Sequence, residues 1–169
     1  LREPRLLRRS IDLKWEGVVH ETVTKWLSKG RVIGHLDADL VHYGYVPELI
    51  RSRDKDSRNL TLLERRCVEE PHNPVVRAYL ARELIRINAT DRAIGEAARA
   101  WRTLNEGELD GPMRPAAVTV ATVYAFLLMS IEDYEAALEV VQRAEEWNSD
   151  HPNIHILAGT IMQNMAIES

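Results

Sequence analysis

The sequence is short of several things, and each shortage removes a class of function. It has one cysteine, Cys67, in 169 residues. That rules out an internal disulfide and fits a reducing compartment. Cys67 falls in a helical pattern, where an inert, partly buried thiol is expected rather than a nucleophile. No apolar run approaches the ~18 residues that a membrane-spanning helix requires, so no membrane span is expected. The opening Leu1-Arg-Glu-Pro-Arg5 has neither an initiator Met nor an apolar core segment. It reads as a cut inside a longer polypeptide rather than a signal peptide. His72, His151 and His155 lack the partner spacing of a zinc site. The Gly-containing stretch 105–115 lacks the phosphate-cradle pattern, and no Ser/His/Asp or Cys/His arrangement is legible.

What is present is ordinary for a soluble globular protein: 45% apolar and 28% charged residues,. The length suffices for a buried core, in one or two small units. Charge is uneven. Residues 1–66 carry 14 Lys and Arg against 10 Asp and Glu, and residues 67–169 carry 8 against 16. An acidic second half argues against nucleic acid as a partner. The mildly basic first half would suit phosphate groups. A cytoplasmic location is expected.

Residues 1–47 predict a β-rich segment, with strands at Arg5–Arg9, Lys14–Val23 and Arg31–Tyr43 and a turn at Ser28-Lys-Gly30. In the second strand, Trp15, Val19 and Val23 would share one face and Glu16, His20 and Thr22 the other. Gly17 suggests a bulge. A half-buried strand with a polar outer face explains this stretch as well as a reactive site does. Asp37-Ala-Asp39 has the wording of a metal-binding Asp-x-Asp, but a solvated strand face accounts for it. Residues 48–56 form a connection, marked by Pro47 and a charged run.

From residue 57 to 169 the period is helical. Ser57 is the expected N-cap of Arg58–Glu70, closed by Pro71. Asn73-Pro74 opens a helix to about Ile87, and Thr90 or Asp91 caps the next, to about Leu104. A loop is expected at Asn105–Pro115, then helices at Ala116–Met129, Asp133–Trp147 and Asn153–Met165.

These helices repeat in pairs. Ala81, Leu84, Ala93, Ala97 and Ala100 match Ala125, Leu128, Ala137, Val141 and Ala144 in spacing, and Ala158 with Ile161 continues the series. Small residues at these points let paired helices approach closely. The period resembles that of tetratricopeptide (TPR) units, about 34 residues long. The first interval, Ala81 to Ala125, is longer because of the 105–115 stretch. A peptide or protein groove is expected with Arg82, Arg86, Asn88 and Tyr124 within reach. The last helix, Ile154–Met165, would need a neighbour for its apolar face, and a homodimer mate is one implied partner.

A family resemblance adds to this. In order, Glu3-Pro-Arg-Leu-Leu-Arg-Arg9, Lys14-Trp-Glu-Gly-Val-Val-His-Glu21, His42-Tyr-Gly-Tyr45, Lys55, Arg58-Asn59-Leu60, Leu62-Leu-Glu64 and Pro71-His-Asn-Pro74 resemble one stretch of a bacterial group of family 2 glycosyltransferases. That stretch ends the catalytic domain, and a TPR array follows it. The resemblance covers roughly residues 3–100. It implies a mainly α protein, a TPR-like α-α superhelix preceded by a short β-rich remnant of a GT-A-type α/β catalytic domain. The implied activity of the full-length protein is sugar transfer from a nucleotide sugar to an acceptor, with a Mn or Mg ion offsetting the diphosphate charge.

By the same resemblance His20 and Glu21 are the catalytic candidates, with His20 able to complete a metal shell. Arg8 and Arg9 could contact diphosphate, and Trp15 could stack on a sugar or base. His42, Tyr43 and Tyr45 would brace the junction. The donor-binding half is missing, so this piece is expected to be inactive alone and to hold no cofactor. A non-enzymatic TPR scaffold is the alternative.

Overall fold

The computed structural model describes residues 6–16, 21, 23–32, 34, 55–107 and 114–168. The protein is mainly helical, and no strand forms among the described residues. The chain divides into two compact units, Leu1–Lys55 and Asp56–Ser169.

In the first unit the expected β-rich character is corrected wherever the chain is described. Residues 6–10 are irregular, 11–12 turn, and helix α1 occupies Thr24–Leu27. Val23 and Trp26 are buried, whereas Trp15 is 59% exposed. The alternation that would place Trp15 and Val23 on one strand face therefore does not hold. A helical signal competes with it, because Val23, Trp26 and Leu27 stand at i, i+3 and i+4. Gly30, at φ +77°, supplies the left-handed residue that ends the turn after α1,. The turn expected at Ser28–Gly30 is present.

Polar side chains staple this segment. Asp12 accepts from the Ser10 hydroxyl and from Arg31 Nη2 at 2.8 Å. Trp26 Nε1 donates to Ser10 Oγ at 3.3 Å, and the Arg31 guanidinium lies 4.8 Å above the Trp26 ring,. Lys25 pairs with Glu16 at 3.2 Å.

The second unit contains six helices among its described residues: α2 (Lys55–Glu69), α3 (Pro74–Arg86), α4 (Thr90–Glu106), α5 (Arg114–Met129), α6 (Tyr134–Trp147) and α7 (Pro152–Glu168). Helix α2 starts before the expected cap, so Ser57 lies inside it and its carbonyl accepts from the Thr61 hydroxyl at 3.0 Å. Asn59, Leu63 and Cys67 form its buried stripe at i, i+4 and i+8. Its Glu64 pairs with Arg92 of α4 at 2.8 Å.

Asn73 caps α3, accepting from the backbone N–H of Val75 at 3.1 Å and of Val76 at 3.4 Å, with Pro74 at the first turn,. The Arg66 and Asn73 side chains both donate to Glu70, which holds its carboxyl below the usual range. Helix α4 has no side-chain cap. Thr90 begins the helix, and its cap position, Ala89, only accepts from Ala93 N–H through its carbonyl. Asp133 caps α6 by accepting from Ala136 N–H at 3.2 Å.

The turns that close α3 and α5 are the same device. Asn88 sits at φ +57° and Glu132 at φ +62°. In the first, Ala89 N–H donates to Leu84 O and Asn88 N–H to Ile85 O; in the second, Asp133 N–H donates to Leu128 O and Glu132 N–H to Met129 O. Both are left-handed caps that satisfy the last free carbonyls. They lie 44 residues apart, the interval that separates Ala81 from Ala125.

The helices pack as sequential pairs, α3 on α4 and α5 on α6. Ala81, Ala93, Ala97 and Ala100 of the first pair are buried, as are Ala125, Ala137, Val141 and Ala144 of the second. The absence of bulk at these positions lets the helix backbones approach, and Leu84, Leu128 and Ile161 fill the space left between. Arg77 and Glu96, both mostly buried, pair at 2.7 Å across α3 and α4. Helix α5 is central, because it packs against α3, α4, α6 and α7. No helix among the described residues is long and apolar enough to cross a membrane.

Candidate docking face

Four neighbours leave α5 one narrow strip of its own surface. The strip is marked by Phe126, the single phenylalanine of the chain, which is 52% exposed. It is the one exposed residue among the α5 side chains described. Phe126 is one of several large apolar side chains exposed in this unit, with Val68, Ile87, Ile131 and Ile167.

The repeat spacing shows which residues share that side. Arg82, Phe126 and Gly159 are equivalent positions in α3, α5 and α7, as are Tyr79, Val123 and Ile156, and Ile85, Met129 and Met162. Their exposure differs from helix to helix: of the three α5 positions only Phe126 is exposed, Val123 being buried and Met129 packed against the apolar cluster. Ile156 is 66% exposed and Met162 53%. A Cβ placed on Gly159 would meet open space. At the α3 end the Arg82 guanidinium lies 5.9 Å from the Tyr79 ring centroid,. The exposed side chains thus change from Arg82 beside Tyr79 on α3 to Phe126 on α5 and Ile156 and Met162 on α7.

The arginines around it are otherwise engaged. Arg65, Arg66, Arg77, Arg86, Arg92, Arg99 and Arg143 each pair with a glutamate. Arg82 is exposed and has no carboxylate partner among the described residues.

The expected groove is thereby split. Arg82 and Arg86 belong to this side of α3, with Arg86 held 3.5 Å from the nearly buried Glu83. Asn88 is instead the left-handed closing residue of α3. Tyr124 stands about 200° round the helix from Phe126. Its ring lies 6.2 Å from that of Trp101, which lies 5.4 Å from that of Trp147. Tyr124 therefore braces the junction between the helix pairs, and burial with the Asp133 carboxylate raises its hydroxyl pKa. Trp101 packs against two apolar clusters of the unit. Phe126, Ile156 and Met162 were legible only by carrying Arg82 forward along the repeat.

In the first unit, Arg8, Arg9, Trp15 and Glu21 are all exposed. His20 lies outside the described residues, as do Asp37, Asp39, His42, Tyr43 and Tyr45. Among the described residues no three His, Cys, Asp or Glu side chains converge as a metal-holding set. Cys67 is buried, and burial pushes its thiol pKa up, away from the reactive thiolate,. No protein-family model matches this chain, and no curated protein matches it.

Proposed function

We propose that this chain is a protein-docking module built from TPR-like helix pairs, which binds a peptide segment of a partner across α3, α5 and α7. The half-exposed Phe126 on an otherwise enclosed central helix carries this reading. The regular small-residue contacts and the two matching left-handed turns support the repeat on which it rests. The reaction chemistry legible in these residues is slight, whereas Phe126 is exposed on α5 and Ile156 and Met162 on α7, with Arg82 exposed on α3,.

A peptide footprint tests the proposal. Peptides selected from a displayed random library on the full chain are titrated into labelled protein and followed by NMR. The expected result is that the Ile156 and Met162 methyls and the Phe126 ring shift first, and that Phe126→Asp abolishes binding with the fold intact. A footprint confined to the outer sides of α2, α4 and α6 sinks it.

The ordered motifs between Glu3 and Pro74 favour a second reading that contains the first. In it the parent protein is a family 2 glycosyltransferase and the helical unit presents the acceptor. His20 and Glu21 would serve catalysis, Arg8, Arg9 and Trp15 the donor, and the full-length enzyme would hold a divalent cation. The encoded residues ahead of Leu1 decide it: an α/β sequence with an Asp-x-Asp supports the enzyme, and its absence leaves the scaffold alone.

A further inference from the structure

Helix α7 turns one side to its unit and leaves the other uncovered. Ile154 and Ile161 are buried, and Leu157, Ala158 and Met165 pack against the same cluster. Ile156, Thr160, Gln163 and Ile167 are all exposed. They stand at i, i+4, i+7 and i+11, within about 60° of one another round the helix. In α5 the places equivalent to Ile156 and Thr160 are held by Val123 and Leu127, and both are buried. The repeat therefore covers this side with helix where it has a neighbour to do so. Charge decides what can cover it in α7. Residues 67–169 carry 8 basic against 16 acidic residues, so two copies repel over much of the unit,. Helix α7 has almost none of that charge: it holds no Lys, Arg or Asp, and Glu168 is its one acidic residue. A strongly charged partner finds no counter-charge there, whereas a second α7 meets no repulsion.

We infer that this side of α7 is a self-association surface, on which α7 of a second copy of the chain lies antiparallel about a two-fold axis. The stripe is self-complementary about its midpoint, as such an axis demands. With the axis between positions 161 and 162, Ile156 meets Ile167 of the second copy at each end. Thr160 then meets Gln163 of the second copy in the middle. The Thr160 hydroxyl donates to Ile156 O at 2.9 Å, so its oxygen is left to accept from that Gln163 amide,. Gly159 borders the stripe, and a Cβ placed on it would meet open space, which leaves room for the second helix. Antiparallel order also sets the helix dipoles head to tail and the two Glu168 carboxylates at opposite ends. A helix of 17 residues, about 25 Å long, offers less than the roughly 800 Å² per partner of a standard interface,. Association is therefore weak and concentration-dependent. It does not rest on the docking reading, although both use Ile156.

Sedimentation equilibrium of the full chain without peptide, from micromolar to millimolar concentration, tests this. A monomer–dimer equilibrium is expected. Ile156→Lys and Ile167→Glu should each weaken it about a hundredfold, because each buries an unpaired charge in the contact. Circular dichroism and urea unfolding of both variants should match the parent chain, since the two side chains are exposed. Mixing Ile156→Lys with Ile167→Glu should restore a dimer, because antiparallel order brings the new Lys against the new Glu. Mixing Ile156→Lys with Ile156→Glu should not. A chain that stays monomeric at millimolar concentration, a dimer that ignores both single substitutions, or rescue by the second mixture alone would overturn the pairing. The docking reading would stand in each case, because it is tested on the peptide complex.

Discussion

The two helix pairs share an interior and differ at their surfaces. In α3/α4 and α5/α6 the same positions are held by small residues, and the same left-handed turn joins the helices. At one exposed position α3 holds Arg82 and α5 holds Phe126, while beside Phe126 Val123 is buried and Met129 packs against the apolar cluster. The interior positions are fixed by how closely two backbones must approach, which admits few side chains. The exposed position meets no such constraint. The comparison thus separates positions that packing fixes from positions that packing leaves free.

The largest effect should come from the shared interior. Leu84 and Leu128 are equivalent, and both are buried. Leu84→Ala and Leu128→Ala should each cost about 2–5 kcal/mol, the transfer term plus an unfilled cavity. Leu128 belongs to the helix with four neighbours, so its variant should stand at the upper end in urea unfolding. A loss under 1 kcal/mol at Leu128 alone would show that the second pair is not packed like the first.

A smaller effect should come from the turns. Asn tolerates the left-handed region by bonding locally, whereas Glu has no such compensation there. Glu132→Gly should stabilise the chain by about 0.5–1 kcal/mol, and Asn88→Gly by clearly less. Equal gains at both sites would mean that the two closures are not under the same backbone constraint.

How much of this could be read beforehand follows from the same distinction. The helix pairs were legible because alanine spacing is dictated by backbone approach, and periodicity records it. Asn73 announced its helix because Asn before Pro at a helix start has a single economical use. Tyr124 misled because an aromatic in a helix reads alike whether it faces a groove or a neighbouring pair. Only the Trp101 and Trp147 rings, brought up from other helices, settle which. Glu132 could not be found from its own identity, since glutamate has no liking for φ +62°. Its position 44 residues after Asn88 was the signal. In the first unit the strand reading weighed the alternation through Trp15 and overlooked Val23, Trp26 and Leu27, whose spacing is that of one helical turn. Four residues of helix are too few to leave a strong periodic trace.

The smallest effect belongs to that first unit, where a carboxylate ties the segment around the buried Val23 and Trp26. Bonds from Ser10 and Trp26, with the Arg31 charge beside them, hold the Asp12 carboxyl down from 3.8 to about 2. The folded arrangement therefore prefers the ionised form. Its contribution is complete above about pH 5, where even the free carboxyl is ionised, and is lost as pH falls through about 2. The indole N–H resonance of Trp26 should hold its shift from pH 7 to about 3 and move toward the free value as pH falls through about 2. Asp12→Asn should place it near that value at every pH, with the unfolding of α3–α7 unchanged. A Trp26 resonance that titrates near pH 6, or ignores the Asn substitution, would show that burial of Val23 and Trp26 holds this segment without its charged staple. The contrast with the alanine-packed pairs would then be one of size rather than of kind.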